Sequence, residues 1–361
     1  AVVMHAFSSA DLISPAIKRT KWFLFEPFRW GTFLKLCAVS VLTEGWSTGS
    51  SNFRIPGGHH GTVASPPPAS IPTVSSPYFG LSPMQVVLIA AVVMCCIGIA
   101  LVIFYLVTRL RFALFHCLVY QTREIRPGWQ LYDRPSWRFF LLSIAVGLIF
   151  FFAVLLIALP FILGFYHQIQ GAHSGGSINI ATFLSMVLPL IPVFILIVLA
   201  ALAVHIILHD LMLPHMALEN ASSSTAWRQV RSHLAAEKGG FLLYGFFRVI
   251  LPLAARIAAA IVIAIPVILV IAIFGLPTAG LIALAVNATA LGKFLLILLI
   301  AIGVLVLFAV GVFVVLCVGG PIGIATRNFA LLFYGGRYAV LGDLLAPPSP
   351  PPASQGAATP A

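Results

Sequence analysis

Five side chains of ligand-forming type fall between positions 205 and 219: His205, His209, Asp210, His215 and Glu219. His205 and His209 stand four apart, so a helix would carry both imidazoles on one face, a spacing used to hold metals. Asp210, His215 and Glu219 follow closely enough to complete a ligand shell. His205, His209, Asp210 and His215 therefore define a candidate metal site, and with it one functional reading, a membrane-embedded enzyme. No HExxH pattern accompanies them, and Pro214 is expected to end or kink the helix among the ligands. The other reading of the same residues is interfacial, with imidazoles at a helix end bonding water and headgroups.

His205 and Asp210 also satisfy the H-x4-D spacing of glycerolipid acyltransferases. That pair depends on a soluble α/β domain, and five residues along one helix turn through about 140°. The match assigns nothing. No P-loop, dinucleotide fingerprint or GxSxG elbow is present, and no cofactor is expected.

A second candidate is cationic. Arg231 sits on a polar connector, while Arg248 and Arg256 enter the apolar stretch that follows. They are expected either to snorkel to the membrane surface or to form a binding site for anionic lipid headgroups. Pro252 is expected to bend this stretch, leaving its first part in the interface.

The elements that must position these groups are membrane spans. Of the 361 residues, 61% are hydrophobic and 8% charged, against about 25% charged in soluble domains. Apolar runs near 81–107, 139–163, 181–207, 253–274 and 294–318 are each long enough to cross a bilayer. Segment 30–46 is shorter, carries Lys35, and either spans, tilts or re-enters. Ser14-Pro15 opens an amphipathic helix with Ala16, Ile17, Thr20, Phe23 and Leu24 on one face, so 1–29 reads as an interfacial segment. Residues 47–80, with His59 and His60, form a Gly/Ser/Pro-rich external loop, and 346–361 a Pro/Ala-rich disordered tail. Between them, 81–345 forms the membrane bundle. Ser222-Ser223-Ser224 is expected to cap a connector helix from Thr225, lined by Trp227, Val230 and Leu234, which Gly239-Gly240 stops. GGPIGIATRNFALLFYGGRYAVLGDLL at 319–345 is expected to be another interfacial helix. The cysteines, at 37, 95, 96, 117 and 317, have no metal-ligand spacing and read as free thiols packed like small hydrophobes.

The net charge of +11 does not point to nucleic acid, because the basic residues cluster at the ends of apolar spans. Seventeen of the twenty Lys and Arg fall on one side of the six-crossing layout and two on the other. The positive-inside rule then places both termini in the cytoplasm. No basic region followed by a short apolar core opens the chain, so no cleavable leader is expected.

The connectors RFALFHCLVYQTREIRPGWQLYDRPSWRFFLL and LPHMALENASSSTAWRQVRSHLAAEKGGFLLYGFFRVI, with the opening FEPFRWGTFLKLCAVSVLTEGW, resemble an uncharacterised family of archaeal and bacterial polytopic membrane proteins. More distantly, the layout is similar to the membrane domain of glycerophosphodiester phosphodiesterases, without the soluble barrel that carries their activity. The resemblance implies an all-α polytopic bundle in a prokaryotic cytoplasmic membrane and supplies no catalytic residue. The leading expectation is a non-enzymatic scaffold or permease-like module that handles membrane lipid, anionic by its charge, or another amphipathic ligand.

Overall fold

The computed structural model describes residues 8–45, 83–173, 184, 188–285 and 290–345. The expected external loop and the tail from 346 lie outside them. The described residues form helices without a strand: α1 (Ile13–Phe25), α2 (Trp30–Ser40), α3 (Pro83–Tyr120), α4 (Ile125–Leu131), α5 (Asp133–His173), α6 (Leu190–Ile206), α7 (Leu213–Leu218), α8 (Ser223–Ala236), α9 (Lys238–Ala285), α10 (Ala290–Gly335) and α11 (Ala339–Leu345). Two π turns interrupt the α-helical register, Val41–Gly45 after α2 and Ile207–Met212 between α6 and α7.

Five described segments are long and apolar enough to cross a membrane: Met84–Tyr120, Asp133–His167, Leu190–Leu218, Lys238–Ile265 and Gly292–Gly335. The chain is an all-α, multi-pass membrane protein. Segment 30–46 is not among those five. Its helix has 11 residues, where a crossing takes about 20, and it packs mainly against α10.

Helix length explains how the molecule divides. α3, α5, α9 and α10 have 38, 41, 48 and 46 residues, far more than one bilayer needs. One part of each is an apolar stem with most of its side chains exposed: Met84–Ile103 on α3, Leu148–Tyr166 on α5, Leu253–Ile265 on α9 and Ile297–Val315 on α10. This is surface that lipid covers. The remaining parts converge as a packed head with α1, α2, α4, α7, α8 and α11. Phe112, Leu118, Phe139, Leu211, Met216 and Tyr334 lie in its core, each nearly inaccessible.

Two expectations change here. Residues 319–335 are no separate interfacial helix but the continuation of α10 into the head, with Ile324, Phe329 and Phe333 fully buried. α9 runs as one helix from Lys238 past Pro252, because one missing amide removes one hydrogen bond and leaves the rest of the ladder intact. Gly239-Gly240 lies in the first turn of α9 and does not stop α8. By contrast, Ser222 caps α8, its Oγ accepting from the Thr225 amide at 3.3 Å. Ala16, Thr20, Phe23 and Leu24 of α1 are buried as their spacing required, against α10. Ile17 stays exposed.

α2 approaches α10 along Gly319, Gly320 and Gly323. A methyl group on Gly320 would stand 2.7 Å from the Cys37 Cα, and one on Gly319 3.3 Å from a Val41 methyl. The approach is therefore backbone to backbone, and it sets the depth at which the first π turn enters the head.

Candidate functional site

Where the stems meet the head, three arginines and two carboxylates are buried together. Asp210 comes from the second π turn, Glu44 from the first, Arg111 from α3, Arg248 from α9 and Arg327 from α10. Arg248 Nε donates to Asp210 Oδ2 at 2.7 Å, and its Nη2 donates to Asp210 Oδ1 at 3.3 Å and Glu44 Oε2 at 3.1 Å. Arg327 pairs with the other Glu44 oxygen and stands 3.7 Å from Asp210 Oδ1. The Tyr244 hydroxyl donates to Asp210 Oδ2 at 2.8 Å. Arg111 lies 2.8 Å from His209 Nε2 and donates twice to the Thr43 carbonyl, at 3.1 and 2.9 Å. Because arginine only donates, the imidazole nitrogen facing it is the acceptor.

The π turns supply part of this geometry. In the second turn the Leu213 amide bonds the Leu208 carbonyl, a five-residue step. The next such bond would come from residue 214 to the His209 carbonyl, but Pro214 has no N–H. Arg327 Nη1 donates to that carbonyl instead, at 3.0 Å. A buried carbonyl left without a partner is costly, so Arg327 supplies, across 118 residues, the donor that Pro214 cannot give the His209 carbonyl. Pro214 thus neither breaks nor ends the segment. It stands at the start of α7 and prepares an acceptor.

The four residues of the candidate metal set point to different partners. His205 and His209 lie with ring centroids 4.3 Å apart and planes inclined at 51°, and Asp210 faces Arg248. His215 lies a turn away, its Nε2 2.6 Å from the Tyr334 hydroxyl. Among the described residues no three His, Cys, Asp or Glu side chains gather as a metal cluster. The cationic trio is also dispersed. Arg231 is exposed on α8, Arg256 is exposed on α9, and Arg248 is buried with its guanidinium committed to two carboxylates.

Glu44, Arg111, Tyr244 and Arg327 were not singled out by spacing. Arg111 and Arg327 count among the seventeen basic residues on one side of the layout, and Glu44 lies within the short segment 30–46. One signal was available: each arginine is embedded in an apolar helical run, where a buried charge needs a carboxylate or a carbonyl.

Beside this cluster lies an apolar cavity of about 600 Å³ between α6 and α9. Leu199, Ala203 and Ile207 form one wall, Tyr244, Phe246 and Ile250 another. Lys238 is the charged residue among those lining it. Leu199, Phe246 and Ile250 are themselves exposed on the stem side, so the cavity opens toward lipid. Tyr244 belongs to both features, since its ring lines the cavity and its hydroxyl holds Asp210.

A further polar group lies outside the spans. Tyr338 donates to Glu219 Oε1 at 2.5 Å, and Gln229 donates to Oε2 at 3.1 Å. The Tyr338 bond holds the Glu219 carboxyl below its ordinary value, while burial and then Glu219 push the Tyr338 phenol up. A carboxyl depressed on folding stabilises above its unfolded pKa, and that contribution is lost as pH falls through the folded value. Tyr338→Phe is expected to move the Glu219 carboxyl upward, as read by NMR titration of the side-chain carboxyl carbon. An unmoved titration would contradict the contact.

No curated protein and no solved structure matches the chain. A family model does match, over residues 5–344, and the chain belongs to that family, a family of unknown function (DUF7544).

Proposed function

We propose that the protein is a non-enzymatic membrane module that holds a lipid or another amphipathic ligand in the cavity between α6 and α9. The observation that carries this reading is the cavity's chemistry: an apolar volume of about 600 Å³ with one lysine among its lining residues. That volume falls within the range of small-molecule sites, about 300–1,000 Å³, and the single charge suits the head of an amphipath. Lateral opening toward lipid gives entry from the bilayer without passage through water. The lysine and arginine asymmetry orients the head toward the cytoplasm.

Ala203 faces the cavity from α6. Ala203→Trp fills that space with an indole and leaves every ion pair of the head untouched. Native mass spectrometry of the wild-type protein should find a retained amphiphile, and the variant should lose at least nine-tenths of it at unchanged thermal stability. Equal retention in the two proteins would overturn the assignment.

A further inference from the structure

A second, separate cleft opens between α3 and the first turns of α5. It has a volume of about 400 Å³ and is lined by Tyr105, Arg109, Asp133, Arg134, Trp137 and Arg138. Arg134 and Arg138 stand four apart, so both guanidinium groups project from one face of α5, with Trp137 beside them. Both are exposed. Arg109 is already engaged: it pairs with Asp133, donates to the Trp129 carbonyl at 3.2 and 3.1 Å, and lies 4.4 Å from the Trp129 ring centroid. With Arg109 and Asp133 cancelling, the cleft retains two positive charges, those of Arg134 and Arg138.

Position identifies what those charges would meet. The cleft lies where the head gives way to the stems, because Leu106 on α3 and Leu141 on α5 are exposed beside it. Tyr105 and Trp137 pack edge to face at 5.5 Å, and Trp137 keeps half its surface exposed. Tyrosine and tryptophan at such a boundary sit at headgroup depth, with ring in the apolar layer and polar tip in the wet one. Arginine forks match the paired oxygens of a phosphate.

The geometry points to the α3–α5 cleft as a binding site for the phosphodiester headgroup of an anionic lipid. Arg134 and Arg138 hold the phosphate oxygens, Trp137 and Tyr105 flank the glycerol, and the acyl chains lie along the α3 and α5 stems. The site shares no residue with the α6–α9 cavity, so it stands or falls independently of the proposed function.

The test uses the full chain in nanodiscs, with phosphatidylglycerol titrated against phosphatidylcholine and bound lipid counted by native mass spectrometry. Two juxtamembrane arginines at about 1 kcal/mol each correspond to a preference of roughly thirtyfold. Arg134→Gln/Arg138→Gln is expected to remove that preference. Arg228→Gln/Arg231→Gln, on the exposed face of α8, is expected to keep it, as is Ala203→Trp. Trp137→Ala should weaken retention while the double-glutamine variant stays folded, since Arg134, Trp137 and Arg138 are all exposed. Millimolar inorganic phosphate should leave the lipid bound. Equal phosphatidylglycerol retention in wild type and Arg134→Gln/Arg138→Gln would overturn the site, and displacement by inorganic phosphate would assign the cleft to a soluble anion instead.

Discussion

Replacing Asp210 by alanine is expected to destabilise the head by about 3–5 kcal/mol, the usual cost of removing one partner from a buried ion pair. Asp210 accepts from Arg248 and Tyr244 and lies 3.7 Å from Arg327. Without it, three buried arginines share one carboxylate, Glu44. The cost is therefore chiefly that of uncompensated charge, not of lost contacts. Asp210→Leu/Arg248→Met should recover much of the loss, because an apolar pair of similar volume removes the charge along with its partner. Tyr244→Phe deletes one hydrogen bond to a charged acceptor and should cost less, about 1.5–3 kcal/mol. Equilibrium unfolding in detergent, read by near-UV circular dichroism, orders the three variants. If Asp210→Ala unfolds at the wild-type midpoint, the cluster does not hold the head together.

Gly320→Ala should separate α2 from α10. Its new methyl would stand 2.6 Å from the Cys37 Sγ and 2.7 Å from the Cys37 Cα, and the backbone cannot yield as a side chain can. Overpacking of this kind costs about 1–3 kcal/mol. The shift also strains the Ser40 hydroxyl bond to the Gly320 carbonyl, 3.1 Å long, and draws Glu44 away from Arg248 and Arg327. Cys37 is fully buried, so its alkylation rate, followed by peptide mass mapping, should rise at least tenfold. Gly311→Ala is the matched control: it lies in the exposed stem of α10, where nothing stands within 4 Å of the added methyl. A wild-type rate for Cys37 in Gly320→Ala would contradict the close approach.

Much of the fold was legible because it depends on local pattern. Each of the five apolar runs holds a described helix long enough to cross a membrane, the third beginning at Leu190, while most of 181–187 lies outside the described residues; the Ser222 cap and the buried face of α1 follow from three- and four-residue spacing. Where those helices end was harder to read. Residues 319–335 carry Gly319, Gly320, Pro321, Thr326, Arg327 and Asn328 after an apolar span, a change in composition that marks the end of the stem but not of the helix, which runs on to Gly335. The ionic cluster was less legible still. Arg248 reaches Glu44 across 204 residues and Arg327 reaches it across 283, and no spacing rule links such pairs. Local reading also grouped Arg248 with Arg256, whose surroundings differ. Eight residues place them about 12 Å apart along α9, so one turns into the head while the other stays on the exposed stem. Pro214 carried a usable signal: a proline inside a helix frees a carbonyl, and a distant arginine takes it.

The measurement that bears most directly on the α6–α9 cavity is photo-crosslinking of a lipid with a diazirine on its acyl chain. Purified protein in nanodiscs would be irradiated and the labelled peptides mapped. Label should concentrate on residues 199–211 and 241–250, and Ala203→Trp should abolish it there while leaving the α10 stem at 297–315 unchanged. Label spread evenly over α6 and the four stems, with no response to Ala203→Trp, would contradict a ligand held in the cavity.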